Sequence, residues 1–212
     1  MRQFDHIIWD WNGTIVDDTA LCLSILNTQL VKNKMPQLSL EEYRSSFVFP
    51  LSVFYQKIGL AFTPDTFREQ NISFLMEYKL RRRECRLHQG VNDVLDGFLE
   101  SGGTHSVLSA YVTEHLTEMV RQYGIADKFK LIQGLDHTDA DSKVDKGHEL
   151  LKQLDLKPSR TMLVGDSTHD FDVARALGVQ CFLVAKGHQS RDALSGCQAV
   201  LCEDHKEILS YL

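Results

Sequence analysis

The chain has 212 residues, 43% hydrophobic and 25% charged, a balance that fits one sizeable buried core, alone or carrying a smaller insertion. Its 23 basic and 29 acidic residues leave a net charge of −6, which argues against general binding to nucleic acid or anionic membrane but not against a small anion held by local cations or a metal. No run approaches the roughly 18 apolar residues of a membrane span, the N-terminus lacks the features of a secretory leader, and five cysteines without CxxC spacing fit a reducing cytoplasm better than a disulfide or zinc framework.

In chain order, residues 4–9 form a short apolar-rich run ending at Asp10 and the pair Asn12-Gly13, which predicts a buried strand and a turn. Apolar residues Leu21, Ile25, Leu26 and Leu30 recur at helical spacing over 19–34, and 39–47, 51–58 and 64–83 also read as helices, punctuated by Pro36, Pro50 and Pro64. No strand signal is convincing between 15 and 87. The pattern then alternates: helix 91–101, strand 105–109, helix 113–123, strand 130–133, helix 143–154, strand 161–164, helix 169–177 and strand 180–185. A short run at 199–202 and a last helix close the chain. Ser142 and Asp145 have the S-x-x-D spacing of a capping box that starts a helix at Lys143.

Strands alternating with helices predict an α/β three-layer sandwich with a parallel sheet, covered on both faces. The expected division is a core of residues 1–15 and 88–212 with an all-helical insert at 16–87.

Ligands of open α/β sheets bind beyond the carboxyl ends of the strands. Residues that follow strands, or open the helices between them, are Asp10 to Thr14, Ser109-Ala110, Lys143, and Gly165 to Asp170. Together they gather a carboxylate, a hydroxyl, a lysine and two more carboxylates at one edge. That inventory suits Mg²⁺, which takes oxygen ligands, and a phosphate, which takes a hydroxyl, backbone N–H groups and a lysine. Each residue alone has a plain structural reading as a turn former, a cap or a solvated lysine; the order and shared edge carry the argument.

With these motifs, D-x-N-G-T at 10–14 and G-D-x-x-x-D at 165–170, the sequence resembles the haloacid dehalogenase superfamily, in its branch with a helical cap similar to phosphoglycolate phosphatase. The resemblance spans nearly the whole chain. It implies a magnesium-dependent phosphatase acting on a small phosphorylated metabolite. Asp10 would be nucleophile and metal ligand, Asn12 would offer its backbone carbonyl to the metal, and Asp166 would be the second acidic ligand with Asp170 supporting it. Gly13, Thr14, Ser109, Ala110 and Lys143 would contact the phosphate. Lys146, one turn beyond Lys143, competes for the lysine role; the spacing to Asp166 favours Lys143.

Family phosphatases carry an aspartate where this chain has Asn12. An amide cannot shuttle a proton at neutral pH, and such help is worth about 10²–10⁴-fold, so hydrolysis of an aspartyl-phosphate is expected to be slow. Asp17, Asp18 or His169 would be the substitutes. Two other readings of the departure are a weak or inactive binding protein and a metal-free 2-haloacid dehalogenase; Gly165-Asp166 argues for a metal. In the insert, Phe47, Phe49, Pro50 and Phe54 form an apolar cluster that is either cap core or pocket wall. The basic run Lys79, Arg81, Arg82, Arg83 and Arg86 is either a solvated face or a contact for a second anionic group, and His188 is a candidate substrate contact.

Overall fold

The computed structural model describes residues 3–136 and 143–212. At its centre, alternate residues of one strand part to opposite faces. In β1 (His6–Trp9), Ile7 and Trp9 join one hydrophobic cluster and Ile8 another, the period-2 rule for a strand buried on both sides. Parallel neighbours repeat the division. Val107 of β4 (Thr104–Val112), Val164 of β6 (Thr161–Gly165) and Phe182 of β7 (Gln180–Val184) share the face of Trp9, whereas Leu108, Leu163 and Leu183 share that of Ile8.

The sheet has six parallel strands in the order β5-β4-β1-β6-β7-β8, where β5 is Leu131–Leu135 and β8 is Val200–Cys202. Parallel pairing demands crossovers. Helices α5 (Val91–Glu100) and α6 (Thr113–Gln122) cover the Trp9 face, and α7 (Lys143–Gln153) and α8 (Thr168–Leu177) cover the Ile8 face. The chain runs outward from β1 in one direction through β4 and β5, then in the other through β6 to β8. That reversal opens a crevice beyond the carboxyl ends of β1, β4 and β6.

Between β1 and β4, the two-residue strands β2 (Val16–Asp17) and β3 (Arg86–Leu87) pair antiparallel, Val16 with Leu87 and Asp17 with Arg86. They form the stem of a helical segment: α1 (Thr19–Lys32), α2 (Leu40–Ser46), α3 (Leu51–Lys57) and α4 (Pro64–Arg81). Local signals set its starts. Ser39 and Glu42 make a reciprocal capping box on α2, and Thr63 caps α4 ahead of Pro64 in the first turn. The helical segment shares one hydrophobic cluster with the Trp9 face of the sheet.

The layers match expectation, with three differences of detail. The stem strands escape a periodicity search because two residues carry no period. The expected last helix is a 3₁₀ helix, His205–Tyr211, and a four-residue helix, α9 (Arg191–Leu194), precedes β8. Ser142 of the expected capping box lies outside the described residues, while α7 does begin at Lys143. No helix among the described residues is long and apolar enough to cross a membrane.

Candidate active site

β1 delivers Asp10 to the crevice, its backbone N–H held by the Val164 carbonyl at 2.9 Å. The side chain is buried, and Lys143 at the start of α7 reaches it with Nζ 2.5 Å from Asp10 Oδ1 and 2.6 Å from Asp170 Oδ1. Lys146 turns instead to Asp136 at 2.6 Å and Glu149 at 3.1 Å, so of the two lysines it is Lys143 that meets the carboxylates. Asp170, on the first turn of α8, also accepts from the backbone N–H of Asp166 and Ser167 at 3.2 and 3.1 Å and from the Ser167 hydroxyl at 2.6 Å. Its oxygens are thus filled by donors that fix it behind the other two acids.

Asp166 follows β6 into a tight enclosure. It accepts from the Thr14 hydroxyl at 3.1 Å and from the His188 backbone N–H at 2.6 Å. Glycines make the approach possible: a Cβ on Gly13, where φ is +74°, or on Gly187 would fall under 3.0 Å from the Asp166 carboxylate. Oxygens of Asp10, Asp166 and Asp170 lie within 4.8 Å of one another.

Charge is unbalanced here. Three buried carboxylates face the single ammonium of Lys143. Burial, only partly countered by Lys143 and reinforced by Asp170 and Asp166, pushes Asp10 up to about 7. Burial also lifts Asp166, to about 6, against the opposing charge of His188. Asp170 goes the other way: the cost of its burial is outweighed by the charge and hydrogen bond of Lys143, and it lies below the usual carboxylate range. Asp10 and Asp170 in turn outweigh burial at Lys143 and hold its ammonium above its ordinary value. An all-oxygen donor set with surplus negative charge fits Mg²⁺: Asp10 and Asp166 would hold it, with the Asn12 carbonyl.

The crevice continues into a cavity of about 240 Å³ that Asp10, Asn12, Ser109, Ala110, Lys143 and Asp166 all line. Ser109 and Ala110 lie where the β4–β5 register shifts between Leu108 and Val112, an irregularity that re-aims side chains. Ser109 Oγ accepts from the Tyr111 N–H at 3.1 Å, leaving its own hydrogen to give. Gly13 and Thr14 are not among the lining residues: Gly13 N–H is taken by Asp18 at 2.9 Å, and the Thr14 hydroxyl by Asp166.

Asn12 sits in a polar knot that local sequence patterns did not reveal. Its Nδ2 donates to Asp18 Oδ2 and to the Tyr78 hydroxyl, each at 2.6 Å, and Tyr78 donates to the same Asp18 oxygen at 2.7 Å. Both amide hydrogens are committed, so only the carbonyl oxygen of the side chain is left to offer. Asp18 also meets His188 Nε2 at 3.3 Å, and His188 Nδ1 meets the Tyr43 hydroxyl at 3.0 Å. Burial disfavours the charges of Asp18 and His188, but their pairing wins: Asp18 is held below the carboxylate range and His188 is raised to about 9. With both ring nitrogens engaged and its N–H on Asp166, His188 braces the site. Of the three substitutes considered for Asn12, Asp17 is exposed outside the cavity, Asp18 is locked in this knot, and His169 lines the cavity with its ring 5.1 Å from Phe49.

The family model described as haloacid dehalogenase-like hydrolase matches residues 7–184. A phosphoglycolate phosphatase of Synechococcus elongatus is 23% identical over 208 residues, 96% of this chain and 94% of that protein. The tyrosine-protein kinase PtkA of Mycobacterium tuberculosis is 26% identical over 191 residues, and this alignment spans 88% of this chain but 64% of the kinase. Among solved structures, a haloacid dehalogenase-like family protein from Streptococcus pneumoniae superposes with a TM-score of 0.83 at 22% identity, covering 100% of this chain and 99% of that one. A match running from the first strand to the fifth parallel one, over a fold with the same layers, leaves one conclusion: this chain belongs to the haloacid dehalogenase-like hydrolases.

Proposed function

We propose that this hydrolase is a Mg²⁺-dependent phosphatase that transfers the phosphoryl group of a small phosphorylated metabolite to Asp10 and then to water. Its relatives named as phosphatases, among them the Synechococcus elongatus phosphoglycolate phosphatase, support phosphoric monoester hydrolysis as the reaction. The observation that carries the assignment of residues is the contact of Lys143 with Asp10 inside a group of three buried carboxylates. An Asp10 oxygen attacks phosphorus while the ester oxygen departs. Lys143 keeps Asp10 oriented and offers its charge to the phosphoryl oxygens, the free Ser109 hydrogen and the backbone at Ala110 supply further donors, and Asp170 holds Lys143 in place. Bound Mg²⁺ would neutralise phosphoryl charge at Asp10, Asp166 and the Asn12 carbonyl.

In this reading residues 16–87 are a cap on a core of 1–15 and 88–212. The cavity has walls from both parts, and Tyr43 and Tyr78 reach from the helices to His188 and Asn12. Closure of such a lid excludes water. The five cysteines are free, which suits the proposed cytoplasmic setting.

The test is metal dependence. Phosphatase activity should vanish with EDTA and return with Mg²⁺, and Asp166→Asn should cost at least about 10²-fold by removing a ligand that helps stabilise transition-state charge. Undiminished activity in EDTA would overturn the metal assignment; halide release from 2-haloacids would then identify a different hydrolase.

A further inference from the structure

Resting on the phosphatase reading, the cavity also says what the phosphate is attached to. We propose that the substrate is an aryl phosphate, a phosphate monoester whose leaving group is an uncharged aromatic alcohol.

Two independent observations converge on this. The first is the apolar wall of the cavity that Asp10 also lines. Phe47, Phe49, Phe54, Tyr55, Phe74 and Leu75, all from the helical segment, line the cavity. Phe47 is in edge contact with Phe49 and Phe54 at centroid distances of 5.3 and 5.2 Å. A flat aromatic guest extends such a set of edge contacts and removes apolar surface from water.

Among the described residues, none provides for a second anion. Among the described residues that line the cavity, the only lysine or arginine is Lys143, already paired with Asp10 and Asp170. Both ring nitrogens of His188 are spent, on Asp18 and Tyr43. None of the basic residues near the stem lines the cavity; Arg81 pairs with Glu84 and Arg82 with Glu118, and Arg44 donates to the Lys186 carbonyl at 2.6 Å. A carboxylate or second phosphate on the substrate would be desolvated against phenyl rings with no counter-charge. Phosphoglycolate and bisphosphates are therefore poor candidates, whatever the relatives are called.

The second observation is Asn12. With both amide hydrogens given to Asp18 and Tyr78, it cannot protonate a departing oxygen. An aliphatic alkoxide, about as basic as hydroxide from water of pKa about 16, needs that proton. A phenoxide, whose conjugate acid has a pKa of about 10 as in tyrosine, leaves without it. In the first step an Asp10 oxygen bonds to phosphorus as the P–O(aryl) bond breaks, the electron pair leaving with the phenoxide, which takes its proton from solvent. In the second a water oxygen attacks phosphorus, the Asp10–phosphorus bond breaks, Asp10 regains its carboxylate, the water's proton passes to solvent, and inorganic phosphate departs.

Steady-state and burst-phase kinetics with Mg²⁺ on phenyl phosphate, 2-phosphoglycolate, glycerol 1-phosphate and acetyl phosphate test the proposal. Acetyl phosphate has a good leaving group but nothing for the aromatic wall. Phenyl phosphate is expected to exceed 2-phosphoglycolate and glycerol 1-phosphate in kcat/KM by about 10²-fold or more, and to bind about tenfold tighter than acetyl phosphate, read from the concentration at which the burst rate is half-saturated. Phe49 and Leu75 are each 39% exposed and tolerant positions for substitution. Phe49→Ala and Leu75→Ala should close the binding gap between phenyl and acetyl phosphate. An unchanged gap in both folded variants, or 2-phosphoglycolate or glycerol 1-phosphate matching phenyl phosphate in the unaltered protein, would overturn the proposal. No turnover of any of these phosphates, acetyl phosphate included, would overturn the phosphatase reading itself, and this one with it.

Discussion

Asn12 and Asp18 are best understood as one unit. The amide donates to a carboxylate 2.6 Å away that is buried and also fed by Tyr78, the Gly13 N–H and His188. The obvious repair of the missing acid, Asn12→Asp, would set a second carboxylate against the first, and two such groups at hydrogen-bond distance cannot both ionise. The exchange Asn12→Asp with Asp18→Asn keeps one acid and one amide in the pair and moves the acid to position 12, two residues beyond Asp10. Without a base at position 12, turnover of an ester with a good leaving group should begin with a burst and settle to a slow rate. The double exchange should abolish the burst and raise the steady rate by roughly 10²-fold; Asn12→Asp alone should gain less and lower the unfolding temperature. Rapid-quench kinetics beside thermal melts distinguish these outcomes, and Asn12 must be verified by mass spectrometry because the Asn12-Gly13 pair is open to deamidation. Equal steady rates in all three proteins, with no burst, would show that another residue handles the proton.

At the scale of elements, β1 and β4 are tied by a titratable bond. His105 Nδ1 accepts from Trp9 Nε1 at 3.0 Å, which leaves Nε2–H to donate to the Leu95 carbonyl at 3.0 Å. A second ring proton would face the indole N–H, and burial already pushes His105 down to about 4. Because the folded value lies below the unfolded 6.5, the unfolded chain binds the proton first. The stability of neutral His105 is therefore complete above pH 6.5 and is lost as pH falls from there towards about 4. His105→Gln keeps an acceptor and a donor without titrating. The difference in unfolding free energy between the two proteins, from urea melts, should be flat above pH 6.5 and should shift in favour of the variant below it. A difference that does not change with pH would remove His105 from the account. These elements also show what sequence makes visible. Strands buried on both faces read as apolar runs, and Asp10, Lys143, Asp166 and Asp170 could be read because each follows a strand or opens a helix at the sheet edge. Asp18 with Tyr78, and Tyr43 with His188, join residues 60 and 145 positions apart; no local period encodes such pairs. Thr14 was legible as a site residue, but its hydroxyl faces Asp166 instead of the cavity, a direction that only packing sets.

The whole molecule places a charged floor beneath an aromatic roof. Asp10, Lys143 and Asp166 come from the sheet and its first helical turns, Phe47, Phe49 and Phe54 from the helical segment, and one cavity of about 240 Å³ joins them. Association of the two parts through Tyr43, Tyr78 and the shared hydrophobic cluster gives that cavity largely apolar walls, and apolar surroundings strengthen the attraction of Lys143 for a phosphoryl group. Every step of the proposed chemistry passes through a single covalent species on Asp10, and the Asn12 arrangement should make it long-lived. The most direct measurement is therefore acid-quenched mass spectrometry of the protein during turnover of phenyl phosphate with Mg²⁺. The account predicts one phosphoryl group on the peptide containing Asp10, released by hydroxylamine as an acyl phosphate is, and absent with EDTA or in Asp10→Ala. Product formation with no phosphoryl group on that peptide, or with the group on another residue, would contradict it.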